Sequence, residues 1–130
     1  MGRTLSLLAS LCGTPYALAA RGAILFLEDV GEPTYPIDRA LTQLRLSGAL
    51  DGVAGLVLGQ FTERKPSDND LVLEEVLADF AVRLGVPCVA GAPIGHVEEN
   101  WCLPVGVRAR LDAGAGTLEL IEPATAEVRR

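Results

Sequence analysis

A chain of 130 residues, 49% apolar and 22% charged, can bury a real core and has the balance of a folded protein, which excludes the disordered and collagen-like classes. Its formal charge is −6 and its pI lies near 4.7. With no Lys/Arg cluster beyond Arg129-Arg130, there is no electrostatic footprint for nucleic acid or for an anionic membrane, and neither is expected as a partner.

The first segment has the outline of an export signal: Arg3, then an uncharged stretch from Thr4 to Ala20 that contains Ala17-Leu18-Ala19. Its apolar part, from Leu5 to Cys12, is broken at once by Gly13-Thr14-Pro15, and Leu11 before Cys12 spoils a lipoprotein cleavage box. A short helix capped by Thr4 and stopped at Gly13 explains the same residues. No stretch reaches the ~18 apolar residues of a membrane-spanning helix.

Ala23-Ile24-Leu25-Phe26-Leu27 opens after Gly22 and closes on Glu28-Asp29, as a buried strand with acids at its C-terminal end would. Beyond Gly31-Glu32-Pro33, Ile37, Ala40, Leu41 and Leu44 recur at helical spacing up to Ser47-Gly48, with Asp38, Arg39 and Arg45 outward. From Val53 to Phe61 the strand signature returns, punctuated by Gly55 and Gly59. The polar tract from Thr62 to Asn69 reads as a loop. A second helix follows on Leu71, Val72, Val76, Phe80 and Leu84, started by Asn69 or Asp70 and ended by Gly85. Val86 to Ala90 is a third short strand, and the strand–helix–strand order argues for parallel pairing. Val105 to Leu111 alternates, Ala113-Gly114-Ala115-Gly116 turns and Thr117 to Ile121 returns, as an antiparallel hairpin does. The expected class is α/β with an antiparallel annex, in one domain spanning 1–130 without an internal repeat or linker.

Cys12, Cys88 and Cys102 are odd in number, far apart and without a C-x-x-C pair, so neither a disulfide framework nor a zinc site is indicated. They are expected as reduced, buried small hydrophobes in a reducing compartment. The sole histidine, His96, sits in the Gly/Pro-bounded turn Pro93-Ile94-Gly95-His96, where rigid flanks can present a ring to a cleft as a general base requires. The plainer alternative is a surface histidine without duty. Glu28 and Asp29 lie at a strand's C-terminal end, where open α/β sheets place functional groups, although acids also simply end strands. No Gly-x-Ser-x-Gly elbow accompanies them, Ser6, Ser10, Ser47 and Ser67 fall in helices or polar loops, and a phosphate-binding Gly-rich loop is lacking. The nucleophile is therefore missing, and no cofactor or metal is expected.

Several ordered blocks resemble the LD-carboxypeptidase family. They are Leu5-Ser6-Leu7-Leu8 with Gly13-Thr14-Pro15-Tyr16, the run from Ile24 to Glu32, Ile37-Asp38-Arg39 with Leu41 and Gln43-Leu44, Gly55 to Phe61, Pro93-Ile94-Gly95-His96 with Asn100, and Leu103-Pro104-Val105-Gly106. The resemblance covers about residues 4 to 121 and corresponds to the C-terminal domain alone. It implies a three-layer swivelling β/β/α domain, with parallel strands and an antiparallel hairpin.

The same resemblance implies a Ser-His-Glu triad in which Glu28 and His96 supply the carboxylate and the base. The serine and its oxyanion hole would come from an N-terminal flavodoxin-like domain that this chain lacks, so the chain alone is expected to be inactive. The implied substrate is a murein tetrapeptide losing its terminal D-alanine in the cytoplasm, during peptidoglycan recycling. A related branch cleaves peptidyl-nucleotides and gives immunity to microcin-type antibiotics. Homodimers are the family habit, and a mean hydropathy of +0.32 suits a chain with surface to cover. A non-catalytic binding or dimerisation module on the same fold is the remaining alternative.

Overall fold

A computed structural model describes residues 2–63 and 72–125. In chain order the elements are β1 (Gly2–Thr4), α1 (Leu5–Ser10), β2 (Ile24–Val30), α2 (Thr34–Leu46), β3 (Gly55–Thr62), α3 (Leu73–Leu84), β4 (Cys88–Ala90), β5 (Ala109–Asp112) and β6 (Thr117–Leu120). β1 to β4 form one sheet in sequence order, every neighbouring pair parallel, and β5 and β6 form a separate antiparallel hairpin.

Side-chain alternation divides the sheet between two different coverings. On one face Leu25 and Leu27 of β2 and Leu56 and Leu58 of β3 are buried with Leu5 and Leu8 of α1, Ile37, Leu41 and Leu44 of α2, and Leu73 and Phe80 of α3. On the other face β3 presents Gly55, Val57 and Gly59. A side-chain carbon on Gly55 would come within 2.8 Å of Leu111, so the missing side chain is what lets β5 lie against the sheet. Helices, parallel sheet and hairpin are thus three layers, the β/β/α arrangement expected from the sequence.

Local details depart from the sequence reading in ways that matter for the site. β2 does not end at its acids but runs on through Glu28 and Asp29 to Val30, with Glu28 7% and Asp29 3% exposed. Its register with β3 steps from Leu27↔Leu58 to Asp29↔Phe61, so β3 carries an extra residue around Gly59-Gln60, a bulge beside Glu28. α2 begins at Thr34, three residues before its first expected apolar position, and holds Pro36 in its first turn, where a missing N–H breaks no helical bond. α3 begins at Leu73 and ends on Gly85, left-handed at φ 69°. The proposed caps Asn69 and Asp70, and the loop tract from Arg64 onward, lie outside the described residues. The hairpin is shorter than its alternating pattern, and Glu122 closes its open end by accepting bonds from the Arg108 backbone N–H (2.6 Å) and Nε (2.7 Å). That guanidinium holds the Glu122 carboxyl below the usual carboxylate range.

Thr4 occupies the N-cap position of α1 but makes no capping bond, which corrects the expected role of its side chain. The exposed amide of Ser6 is served instead from the neighbouring strand: Asp29 Oδ2 accepts from the Ser6 backbone N–H at 2.9 Å and from its hydroxyl at 2.5 Å. The cysteines also divide. Cys12 and Cys88 are free and packed against the core, and burial pushes the Cys88 thiol up. Cys102 is exposed, contrary to expectation, because it lies in the irregular segment after β4 with no element packed over it.

Asp29 is therefore a structural carboxylate joining β2 to the start of α1. Asp29→Ala leaves two donors of Ser6 without their acceptor and should cost about 1–3 kcal/mol of unfolding free energy, read as a lower urea midpoint. Asp29→Asn, which keeps one carbonyl acceptor, should cost less.

Candidate active site

Glu28 stands on the sheet face away from the helices, alongside Phe26. A carboxylate this deeply buried needs a partner for each oxygen, and it has them. Oε1 accepts from the Thr4 hydroxyl at 2.9 Å, Thr4 being its register neighbour on β1. Oε2 lies 3.0 Å from Nδ1 of His96, which sits in the loop that follows β4. Glu28 and His96, the two site residues expected from the sequence, are thus in direct contact.

The contact fixes the chemistry of the ring. With Glu28 as a carboxylate, which only accepts, the bond is made by an Nδ1–H, and a neutral ring in that tautomer has its lone pair on Nε2. Among the described residues nothing hydrogen-bonds to Nε2, and the His96 side chain is 54% exposed while that of Glu28 is 9% exposed. A ring held at one nitrogen by a buried acid and open at the other can take a proton from a hydroxyl or thiol brought up to it.

The loop that carries His96 is pinned to the end of β3. The Gln60 backbone N–H donates to Ile94 O at 2.8 Å, and its side-chain amide donates to Gly91 O and Ala92 O at 3.0 and 3.1 Å. Thr62 Oγ1 donates to His96 O at 3.2 Å, and Asn100 Oδ1 accepts from the Gly95 N–H at 3.2 Å. Two glycines make the approach possible. A side-chain carbon on Gly59 would sit 2.5 Å from Ile94 O, and one on Gly95, whose φ is 125°, would sit 3.1 Å from both Cβ and Oε2 of Glu28. The sequence marked Gly59 only as strand punctuation; its purpose is backbone approach at the bulge.

His96 opens onto a cleft of about 380 Å³ walled by Phe26, Ile94, Asn100, Trp101 and Leu103, with Glu28 at its base. A larger hollow of about 480 Å³ lies beneath the hairpin, around Arg21, Ile24 and Leu120. It contains no acid–base pair, and the Arg108 on its wall is already engaged by Glu122, so the chemistry belongs to the smaller space.

Asp29 belongs to α1 on the opposite side of the sheet, and only the family resemblance, not the local sequence, separates it from Glu28. Ser6 is bonded to Asp29, and the hydroxyls of Ser10 and Ser47 donate to Leu7 O and Leu44 O. No described serine bonds to His96, and Ser67 lies outside the described residues. Among those residues no group of three or more His, Cys, Asp or Glu could hold a metal ion. Thr4 and Thr62 are the site residues the sequence reading missed. Asn100 appeared there only through its place in the resemblance.

Comparison with known proteins gives a consistent family. The sequence profile of the LD-carboxypeptidase C-terminal domain matches residues 1–111. A Streptomyces coelicolor protein named as a candidate carboxypeptidase is 50% identical over 125 residues, which are 95% of this chain and 39% of that protein. The crystal structure of muramoyltetrapeptide carboxypeptidase from Oxalobacter formigenes superposes with a TM-score of 0.80 at 42% identity, over 92% of this chain and 42% of the other. The microcin C7 self immunity protein has the same fold, with a TM-score of 0.81 at 23% identity over 97% of this chain and 38% of its own. The chain thus spans about two fifths of the length of each of these three proteins.

Gly59→Ala should break the site while leaving both Glu28 and His96 in the sequence. The added methyl forces the Ile94 carbonyl away, and overpacking of this kind costs about 1–3 kcal/mol. A crystal structure of the variant should show the loop displaced and the His96–Glu28 bond lost.

Proposed function

The chain belongs to the LD-carboxypeptidase C-terminal domain family, and from that premise we propose that it is the base-carrying part of a serine-type LD-carboxypeptidase that removes terminal D-alanine from murein tetrapeptide. The observation that carries this reading is the 3.0 Å contact between His96 Nδ1 and buried Glu28 Oε2, with Nε2 free to face a cleft.

In this reading a serine from an N-terminal domain enters the cleft beside Nε2. His96 takes the hydroxyl proton as the serine oxygen attacks the amide carbon, and Glu28 holds the ring tautomer and stabilises the imidazolium that forms. The same proton passes to the nitrogen of D-alanine as the amide bond breaks. Water then repeats the sequence on the acyl-serine, with His96 again accepting and returning a proton. The backbone donors that stabilise the oxyanion belong beside the serine and are supplied by the N-terminal domain. Exposed Trp101 and Val105, at 51% and 57%, and Leu120 and Ile121 at the hairpin end suit a surface that another part of the protein covers. The setting is cytoplasmic peptidoglycan recycling, and the whole protein is a homodimer.

The fold shared with the microcin immunity protein supports a second reading, hydrolysis of a peptidyl-nucleotide, on the same dyad. The higher identity to the muramoyltetrapeptide enzyme favours the tetrapeptide. A non-catalytic binding module would leave the pairing of exposed His96 with buried Glu28 without purpose.

The test is release of D-alanine by the protein joined to its N-terminal domain. Tetrapeptide should be cleaved, whereas cleavage of a peptidyl-nucleotide and not of tetrapeptide would move the assignment to the second reading. His96→Ala and Glu28→Gln should each lower kcat by about 10³–10⁴-fold, the scale on which triad members act. The 130-residue chain alone should release none, and serine-dependent release by it would refute the division of labour. Sedimentation of the whole protein as a monomer at high concentration would refute the homodimer.

A further inference from the structure

We infer that Thr4 is a positioning residue for the acid–base pair, setting the plane of the Glu28 carboxylate and through it the tautomer of His96. The inference rests on reading Glu28 and His96 as the working pair.

Glu28 is confined at its stem and free at its tip. Gly59 and Gly95 close on its Cβ, where side-chain carbons on them would approach to 3.3 and 3.1 Å. The last torsion of a glutamate is broad and nearly two-fold, so nothing in the side chain itself decides the plane in which the carboxylate meets the histidine. Two donors decide it, because Thr4 Oγ1 holds Oε1 at 2.9 Å and leaves Oε2 to meet Nδ1 at 3.0 Å.

Thr4 is well suited to this. Its branched Cβ restricts χ1 on a strand, and its backbone lies in register with Glu28 on β1. Two residues on, Ser6 is fastened to Asp29 through both its amide and its hydroxyl. The consecutive acids Glu28 and Asp29 therefore grip the β1–α1 junction from opposite faces of the sheet. The one proton of the hydroxyl is donated to Oε1, and its oxygen accepts none of the α1 amide N–H groups that an N-cap threonine would accept. Without that donor Oε1 is a buried oxygen lacking a partner, the carboxylate turns to recover one, and the acceptor at Nδ1 is no longer fixed. The ring then exchanges between its two neutral forms, of which only the Nδ1-protonated one has a lone pair at Nε2.

The chain has one histidine, so ring nitrogen NMR reads this tautomer without ambiguity on the 130-residue chain, at a pH where the ring is neutral. Wild type and Thr4→Ser should show a single Nδ1-protonated form, and Thr4→Val should show the Nε2-protonated form rising to a comparable population. If Thr4→Val fails to fold, Thr4→Ala against Thr4→Ser decides in the same way. A wild-type ring already mixed, a Thr4→Val spectrum identical to wild type, or a Thr4→Ser spectrum that follows valine overturns the inference. The readout does not depend on hydrolysis: a protein that released no D-alanine yet gave the expected spectra would retire the functional reading and leave the positioning role standing.

Discussion

The burial of Glu28 is the constraint from which the rest of the site follows. A carboxylate taken out of water costs several kcal/mol unless each oxygen is partnered, and here the two partners come from far apart in the chain, one from β1 and one from the loop after β4. The sheet must therefore be assembled from its first strand to its last before the acid is satisfied. Half of the pair is deep in the fold and the other half reaches into a cleft, so the buried carboxylate orients the ring and the exposed ring is the half a reactant can meet.

The backbone around the pair is shaped to permit that contact. The bulge at Gly59-Gln60 turns the end of β3 so that Gln60 can bind three carbonyls of the His96 loop. Gly59 and Gly95 remove the two side chains that would hold loop and strand apart. The same device recurs at Gly55, where the hairpin settles on the sheet. Small residues on one face of β3 thus do for the outer layer what leucines on its other face do for the helices.

Much of this was legible in the sequence. Five consecutive apolar residues before Glu28 announce a buried strand, the spacing of Ile37, Leu41 and Leu44 announces α2, and Gly85 marks the end of α3 as a left-handed stop. The parallel pairing followed because helices between strands impose parallel crossovers. His96 stood out by being the sole histidine in a Gly/Pro turn, and its pairing with Glu28 entered through resemblance to a family. What could not be read depended on long-range partners. β1 has only three residues and no pattern, and exists because β2 offers it an edge. Thr4 has the sequence of a helix cap, and only a neighbouring buried acid diverts its hydroxyl. Glu28 and Asp29 are adjacent and chemically alike, and nothing local states which faces the helices and which the cleft. Cys102 looks like a core thiol until it is clear that no element covers it.

The claim at the centre is that Nε2 of His96 is the atom that receives a serine proton. A crystal structure of the protein with its N-terminal domain measures this directly, as the distance from Nε2 to the nearest serine hydroxyl of that domain. The account predicts one serine oxygen within about 3 Å, in line with the ring and opposite the Glu28 contact. An N-terminal domain seated elsewhere, or a ring whose Nε2 faces solvent with no serine in reach, would contradict it.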